Sequence, residues 1–162
     1  MNNLISVVVT CYNHEKYIEQ CLRSVFNQTY TNIELIVLDD GSTDSSTQII
    51  QEVLKDSPFD TKFETHENLG VVNNRNLGLE LIRGDYLLFV DSDNYLDADY
   101  VEQLYSKLTE TNADIVYCDL FNPEKEEFYL KSREFDLTAF LNTSFIDNCS
   151  LIRRSIIGNA RY

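Results

Sequence analysis

Residues 5–26 read ISVVVTCYNHEKYIEQCLRSVF and carry the pattern from which the fold class follows. The first part, residues 5–9, is an apolar and mostly β-branched run, which is typical of a buried strand. The second part has apolar residues at the spacing of one helical face, namely Tyr17, Ile18, Cys21, Leu22 and Val25. The stretch therefore predicts a strand followed by a helix.

The same alternation continues along the chain. Further strand-like apolar runs occur at residues 35–38, 62–65, 86–90 and 115–118. Segments with helical periodicity occur at residues 49–54, 71–82 and 101–108. Strands that alternate with helices imply βαβ units, which close right-handed into a mostly parallel, doubly wound sheet. We expect an α/β, Rossmann-like fold with helices on both faces of the sheet.

The pattern weakens after residue 118. We expect a polar loop at residues 122–127, a short helix at residues 136–142 and a strand at residues 150–153 that returns to the edge of the sheet. The chain has 162 residues, of which 43% are hydrophobic, and this suits one domain with a substantial core.

Composition also bears on the compartment. No stretch approaches the ~20 consecutive apolar residues of a membrane-spanning helix, and residues 1–10 lack a signal-peptide pattern. The cysteines stand singly, so we expect buried free thiols rather than disulfides or a zinc site. They are Cys11, Cys21, Cys118 and Cys149. These features predict a cytoplasmic protein without a membrane span, whose association with the inner face of a membrane would be peripheral.

The charge balance limits the partners. The chain has 27 Asp and Glu against 13 Lys and Arg, a net charge of −14, and therefore repels polyanions. Nucleic acid is excluded as a partner on this ground. A phosphorylated small molecule would need a local arginine or a divalent cation between itself and the protein.

Polar clusters follow four of the predicted strands, at residues 10–13, 39–42, 67–70 and 91–94. In an open parallel sheet, ligands bind outside the carboxyl ends of the strands, because loops and helix N-termini converge there. We therefore expect all four clusters to lie at one edge of the sheet and to form the functional site.

Asp91 and Asp93 lie two residues apart directly after the fourth apolar run. Both carboxylates can face one point if the backbone leaves the extended form. Mg²⁺ or Mn²⁺ takes one or two protein carboxylates and fills its other positions with water and phosphate oxygens. The alternative is a turn or capping role, but Asp97 is a better cap for a helix starting at Ala98. We favour the metal site.

Asp39 and Asp40 precede Gly41, which indicates a tight turn with positive φ. One carboxylate is suited to accept a hydrogen bond from a nucleobase N–H while backbone amides hold the other. Tyr12, at the neighbouring strand end, either stacks on that base or lies at the rim of the core.

Arg75 belongs to the helix that follows the third polar cluster. Its guanidinium either binds a diphosphate or a base carbonyl, or forms a surface salt bridge with one of the many carboxylates. His14 and His66 are expected to be polar loop residues rather than ligands.

Taken in order, these motifs resemble the family 2 glycosyltransferases of the GT-A fold. The matching segments are SVVVTCYN at 6–13, VLDDGSTD at 37–44, NLG at 68–70, RNLG at 75–78, GDY at 84–86 and DSD at 91–93. Each motif is weak alone, but the resemblance extends from residue 4 to about residue 120 in the family's order.

The resemblance implies a nucleotide-sugar site. Thr10, Tyr12 and Asp40 would hold the base of a UDP-sugar, and Arg75 would also lie beside the nucleotide. The segment at 91–93 is similar to the family's Asp-x-Asp motif. In it, Asp93 would bind Mn²⁺ or Mg²⁺, and Asp91 would contact ribose or metal. The cation would act as a Lewis acid on the leaving diphosphate.

The resemblance also implies a division of the chain. Residues 1–162 would form one GT-A domain shortened at its C-terminal side, with residues 1–120 binding the nucleotide-sugar and residues 121–162 starting the acceptor-side part. The acceptor would be a glycan or lipid-linked molecule in polysaccharide or cell-surface glycan synthesis. Inverting members use a general base, which is expected beyond Tyr162. Asp147 is a candidate for the acceptor side.

Other classes fit less well. A haloacid dehalogenase-like phosphatase needs Asp-x-Asp before its Gly and Thr, whereas Asp39 and Asp40 are contiguous here. A receiver domain needs its acidic pair after the first strand, where this chain has Tyr12 and Asn13. A nucleotidyltransferase needs a Gly- and Arg-rich loop, and residues 10–13 contain neither residue type. A non-catalytic nucleotide-binding or interaction domain of the same fold remains the alternative.

Overall fold

The computed structural model describes residues 3–123, 125–143 and 145–162. Its strands are β1 Ile5–Cys11, β2 Ile33–Asp39, β3 Asp60–Thr65, β4 Tyr86–Asp91, β5 Ile115–Val116, β6 Leu120–Asn122, β7 Glu127–Leu130 and β8 Leu151–Arg153. Its helices are α1 Ile18–Phe26, α2 Ser46–Val53, α3 Val71–Leu81, α4 Tyr100–Thr111, α5 Leu137–Asn142 and α6 Arg154–Ile157. A 3₁₀ turn, Leu54–Asp56, follows α2.

Six strands form one sheet in the order β3-β2-β1-β4-β8-β5. The first four strands are mutually parallel, and β8 runs antiparallel to both of its neighbours. Thr10 is in register with Leu38 on one side and with Asp91 on the other, so the strand ends are level. The predicted α/β class with a mostly parallel sheet is confirmed.

The core lies on both faces of the sheet because successive side chains of a strand point in opposite directions. On β1, Val7 and Val9 pack beneath α1, α2 and α4, whereas Val8 packs on the opposite face, beneath α3. Gly78 allows α3 to approach closely, since a Cβ there would lie 2.9 Å from Val8 Cγ1. Burial on two faces explains why β1, β2 and β4 are nearly continuous apolar runs.

The buried carboxylate of Glu34 joins three segments at the end of the sheet where the parallel strands begin. Glu34, 2% exposed, accepts hydrogen bonds from Ser6 Oγ at 2.5 Å, from the Arg83 N–H at 2.6 Å and from the Gly84 N–H at 3.0 Å. Arg83 Nε adds an ion pair at 2.6 Å. Burial alone would raise the pKa of Glu34, but these hydrogen bonds together hold it below its usual range.

Strands β6 and β7 pair as a hairpin and lie on either side of the polar loop expected at residues 122–127. Two other expectations about the elements were wrong. The strand near residues 150–153 does not lie at the sheet edge; β8 lies between β4 and β5, and β5 forms the edge. Helix α4 begins at Tyr100 rather than at Ala98, with Asp99 at the capping position, and Asp97 contributes its backbone carbonyl to the Tyr100 N–H. Within the described ranges, no helix is long and apolar enough to cross a membrane.

Candidate functional site

The predicted polar clusters meet at the carboxyl edge of the sheet. Thr10 and Asp91 are register partners on β1 and β4, and the Thr10 hydroxyl donates to Asp91 Oδ1 at 3.4 Å. The Ser92 N–H donates to the Thr10 carbonyl at 3.2 Å, and the Asp40 N–H donates to the Cys11 carbonyl at 2.8 Å. The loops after β1, β2 and β4 are therefore joined by hydrogen bonds.

Asp39, which is fully buried, is used by the fold itself. Its Oδ2 accepts from the hydroxyls of Thr47 at 2.7 Å and Thr65 at 3.0 Å, and its Oδ1 accepts from the Ser42 N–H at 3.4 Å. Gly41 completes this turn with φ 73°. The prediction of a tight turn with positive φ is confirmed.

Asp40 is also buried, and its two carboxylate oxygens differ in their contacts. Its Oδ1 accepts from the Leu69 N–H at 2.7 Å, and His66 Nδ1 lies 3.5 Å from the same atom. Its Oδ2 makes no hydrogen bond with any described residue. Tyr12 is 46% exposed, so its ring stands free at the strand end rather than in the core.

Arg75 extends from α3 to Asp91. Its Nη2 lies 2.8 Å from Asp91 Oδ1, and the two side chains are 13% and 31% exposed. Arg75 thus forms a salt bridge within the site rather than on the remote surface. Its Nε is buried and has no hydrogen-bond partner among the described residues. A buried unsatisfied donor is costly, and a ligand oxygen would relieve that cost.

Two residues from the last part of the chain cover Arg75. The ring centroid of Tyr162 lies 5.4 Å from Arg75 Cζ, and the Tyr162 ring also packs edge-on against Phe89. Burial raises the pKa of Tyr162, although the Arg75 guanidinium acts in the opposite direction. The Asn148 amide, with its oxygen turned toward Arg75, accepts from both Nη atoms at 3.2 and 3.0 Å.

Asp93 is exposed and makes no hydrogen bond with the residues that the structure describes. Among those residues, no group of three or more His, Cys, Asp or Glu side chains is arranged to hold a metal ion. The carboxylate donors that follow the core of β4 are Asp93 and the Oδ2 of Asp91, whose Oδ1 is engaged by Arg75. This set fits a hard cation that takes one or two carboxylates and completes its coordination with ligand phosphates.

His14 has a larger part in the site than its sequence context predicted. Its Nδ1 lies 2.7 Å from the hydroxyl of Ser92, the buried residue between the two acidic side chains, and its N–H donates to Ser46 Oγ at 2.9 Å. His14 therefore links the loop after β1 to α2 and to the segment at 91–93. A histidine directly after a strand-end polar cluster was the signal available in the sequence.

Asp147 lies in the segment before β8 and is half-buried. Its Oδ1 accepts from the Cys149 N–H at 2.9 Å and its carbonyl from Ser150 Oγ at 2.5 Å, so it shapes this turn. Burial, reinforced by the Asp147 carboxylate, raises the pKa of the Cys149 thiol. All four cysteines are free; Cys118 is half-buried and the other three are buried.

The family model described as Glycosyl transferase family 2 matches residues 6–159. Among curated proteins, the chain is 37% identical over 154 residues to Glycosyltransferase GlyA of Streptococcus pneumoniae, covering 91% of this chain and 22% of that protein. It is 41% identical over 165 residues to an uncharacterized glycosyltransferase of Haemophilus influenzae, covering 98% and 66%. The chain thus spans from about a fifth to about two thirds of these relatives' length.

The solved structures agree with this match. The crystal structure of S. aureus TarS in complex with UDP superposes with a TM-score of 0.73 at 26% identity, covering 94% of this chain and 47% of that one. The shared fold identifies the sheet and its carboxyl-edge loops as the GT-A arrangement that the sequence predicted.

Proposed function

The chain belongs to glycosyl transferase family 2, and on this premise we propose that it carries the donor-binding half of an inverting glycosyltransferase that uses a UDP-sugar. The observation that carries the proposal is the grouping at one sheet edge of a carboxylate with one oxygen that has no described hydrogen-bond partner, a partly buried guanidinium and two carboxylates two residues apart. These are Asp40, Arg75, Asp91 and Asp93. The UDP complex of a structural relative supports uracil as the base.

Each side chain has a task that its surroundings permit. Asp40 Oδ2 accepts the uracil N3–H while Oδ1 stays on the Leu69 N–H. The exposed ring of Tyr12 stacks on the base. Thr10 lies beside the base at the end of β1, and its hydroxyl donates to Asp91 Oδ1. Arg75 places its positive charge beside the diphosphate, where a guanidinium forms strong charge-assisted hydrogen bonds.

Asp93, with Asp91, would hold Mn²⁺ or Mg²⁺. When bound, the ion supplies Lewis-acid stabilisation of the negative charge that develops on the departing diphosphate. The net charge of −14 supports this assignment, because an anionic donor approaching such a chain needs a positive centre. Asp91 is shared with Arg75, whose guanidinium holds this carboxylate in place through the contact to Oδ1.

In the transfer step, an acceptor hydroxyl oxygen bonds to the sugar C1 as the bond between C1 and the phosphate oxygen breaks. UDP departs with the bonding electron pair, and the hydroxyl proton passes to a general base on the acceptor side. We assign residues 1–120 to the donor and residues 121–162 to the start of the acceptor side, with Asp147 nearest to the acceptor. The free thiols support a reducing, cytoplasmic setting.

The acceptor is proposed to be a glycan or a lipid-linked molecule in cell-surface polysaccharide synthesis. The support is a relative 29% identical over 170 residues, the teichoic acid poly(glycerol phosphate) polymerase of Staphylococcus epidermidis. Its name says that the relative makes teichoic acid.

Calorimetric titration of UDP into the chain, with Mn²⁺ or with EDTA, tests the donor site. We expect metal-dependent binding, weakened at least about tenfold in Asp93→Ala and in Asp40→Ala. Asp56→Ala is the matched control, because Asp56 is exposed in the 3₁₀ turn and far from the site in the fold. Absence of binding by the parent chain, or equal binding by all variants, would refute the proposal. Binding without sugar transfer would favour a non-catalytic domain.

A further inference from the structure

Asn148 connects the segment before β8 to the donor side of the site. Its amide oxygen accepts from Arg75 Nη1 at 3.2 Å and from Nη2 at 3.0 Å. The same Nη2 donates to Asp91 Oδ1 at 2.8 Å. The guanidinium therefore lies between a carboxylate of the β4 end and an amide from a segment much later in the chain.

The other contacts of Arg75 do not fix the plane of its guanidinium. Asp91 is reached through one nitrogen only, the Nε has no partner among the described residues, and the Tyr162 ring offers a face rather than a directional acceptor. A guanidinium is a rigid planar fork of donors. Two Nη contacts to one amide oxygen are the interaction that sets its rotation about the Cζ–Nε bond.

We infer that Asn148 is a positioning residue, which orients the Arg75 guanidinium toward Asp91 and thereby couples residues 145–150 to the donor site. Asp147, the candidate for the acceptor side, directly precedes Asn148. A change in the ion pair between Arg75 and Asp91 is therefore transmitted to the proposed acceptor side through the Asn148 side chain. The inference rests on the proposed function for the identity of the ligand that Arg75 meets.

The segment does not depend on Asn148 for its own shape. The Asp147 side chain and carbonyl close the turn onto Cys149 and Ser150, and the Tyr100 hydroxyl donates to the Cys149 carbonyl at 2.5 Å. Asn148→Ala should therefore leave the turn folded, and its consequences should appear at Arg75.

The first test follows the Arg75 guanidinium in the ¹⁵N-labelled chain without nucleotide. The Nε–H signal of Arg75 is identified by its loss in Arg75→Lys, and rotation about Cζ–Nε is measured by exchange spectroscopy. We expect Asn148→Ala to accelerate that rotation about tenfold, since it removes hydrogen bonds to a charged group. Asn142→Ala is the control, because the Asn142 amide donates to the Thr138 carbonyl within α5 and to no other described residue. Unchanged rotation in Asn148→Ala would overturn the inference.

The second test is a double-mutant cycle on the UDP dissociation constant. We expect Asn148→Ala to weaken binding about three- to tenfold, and to have no further effect in an Arg75→Ala background. Asn148→Asp, which keeps an oxygen acceptor, should restore most of the affinity. Additive effects of the two substitutions would show that Asn148 does not act through Arg75. Slow rotation in a parent chain that binds no UDP would refute the donor site while leaving the positioning role in place.

Discussion

Asp39 and Asp40 are neighbours in the chain, and their surroundings give them separate tasks. Both oxygens of Asp39 accept hydrogen bonds from β3, α2 and the turn, so this carboxylate stabilises the loop. Asp40 has only Oδ1 engaged by the backbone. Adjacent carboxylates thus differ: Asp39 shapes the loop, and Asp40 is the one that we propose to bind the ligand.

Gly41 is the residue of this loop that tolerates least change. With φ 73°, a side chain is strained, and a Cβ would lie 2.8 Å from Asn68 N and 2.9 Å from the His66 carbonyl oxygen. We expect Gly41→Ala to lower the free energy of unfolding by about 2–3 kcal/mol and to abolish UDP binding, as measured by urea denaturation and calorimetry.

Gly158→Ala is the control for this prediction. Gly158 has φ 54° with open space around its Cβ position, so the variant has backbone strain without a clash. Its free energy of unfolding should fall by about 1 kcal/mol. Equal losses of stability in the two variants would contradict a role for close backbone approach at Gly41.

Glu34 should make stability depend on pH. Its folded-state pKa lies below the unfolded value of 4.5, so its contribution is present above about pH 4.5 and is lost as pH falls through the folded pKa. Glu34→Gln should lower the free energy of unfolding at pH 7 by about 1–3 kcal/mol, because a charged acceptor of several hydrogen bonds is replaced.

The difference in stability between parent and Glu34→Gln in urea denaturation should shrink as pH is lowered from 5 toward 3, because in this window the parent takes up at most about one proton at Glu34 on unfolding. Glu52→Gln provides the control, since Glu52 is exposed and its ion pair is with Lys55, which is also exposed. A stability difference that is independent of pH would contradict the charged role of Glu34.

At the scale of elements, prediction from sequence succeeded where the local pattern was strong. Strands β1 to β4 and helix α3 were anticipated because apolar runs and helical spacing are local properties of the chain. The insertion of β8 between β4 and β5 was missed because a three-residue strand carries no information about its neighbours. The start of α4 was misplaced because three acidic residues, Asp93, Asp97 and Asp99, compete as caps there.

The same distinction applies to the site. Its carboxyl-edge location and the residues at the ends of β1, β2 and β4 follow from topology and could be predicted. The contacts of Arg75 with Asn148 and Tyr162 join segments far apart in sequence, and single side chains leave no periodic signal. His14 was taken for an ordinary loop residue because its partner, Ser92, lies across the sheet edge.

Strand β8 should be essential to the fold despite its length. Leu151 is fully buried against the core beneath α4, so Leu151→Ala should lower the free energy of unfolding by about 2–5 kcal/mol in urea denaturation. Leu141→Ala is the matched control, because Leu141 in α5 is 76% exposed and should change stability by less than about 0.5 kcal/mol. Similar effects of the two substitutions would show that β8 is not integrated into the sheet.

The net charge of −14 acts over the whole molecule and should determine how UDP binding depends on salt concentration. The Debye length falls from about 30 Å at about 0.01 M salt to about 8 Å at about 0.15 M, so salt screens the repulsion between the chain and UDP. Arg75 is already paired with Asp91, which leaves little net positive charge to be screened.

We therefore expect the dissociation constant of UDP in EDTA to stay constant or to fall by up to about threefold as NaCl rises over that range. Calorimetry at matched protein concentration measures it, and the Mn²⁺-loaded chain is the comparison, because the cation offsets part of the acidic field. In a site that bound phosphate through unpaired basic residues, the dissociation constant of UDP would rise with NaCl concentration. Several-fold weaker metal-free binding in salt would therefore show that local attraction at Arg75 outweighs the field of the whole molecule.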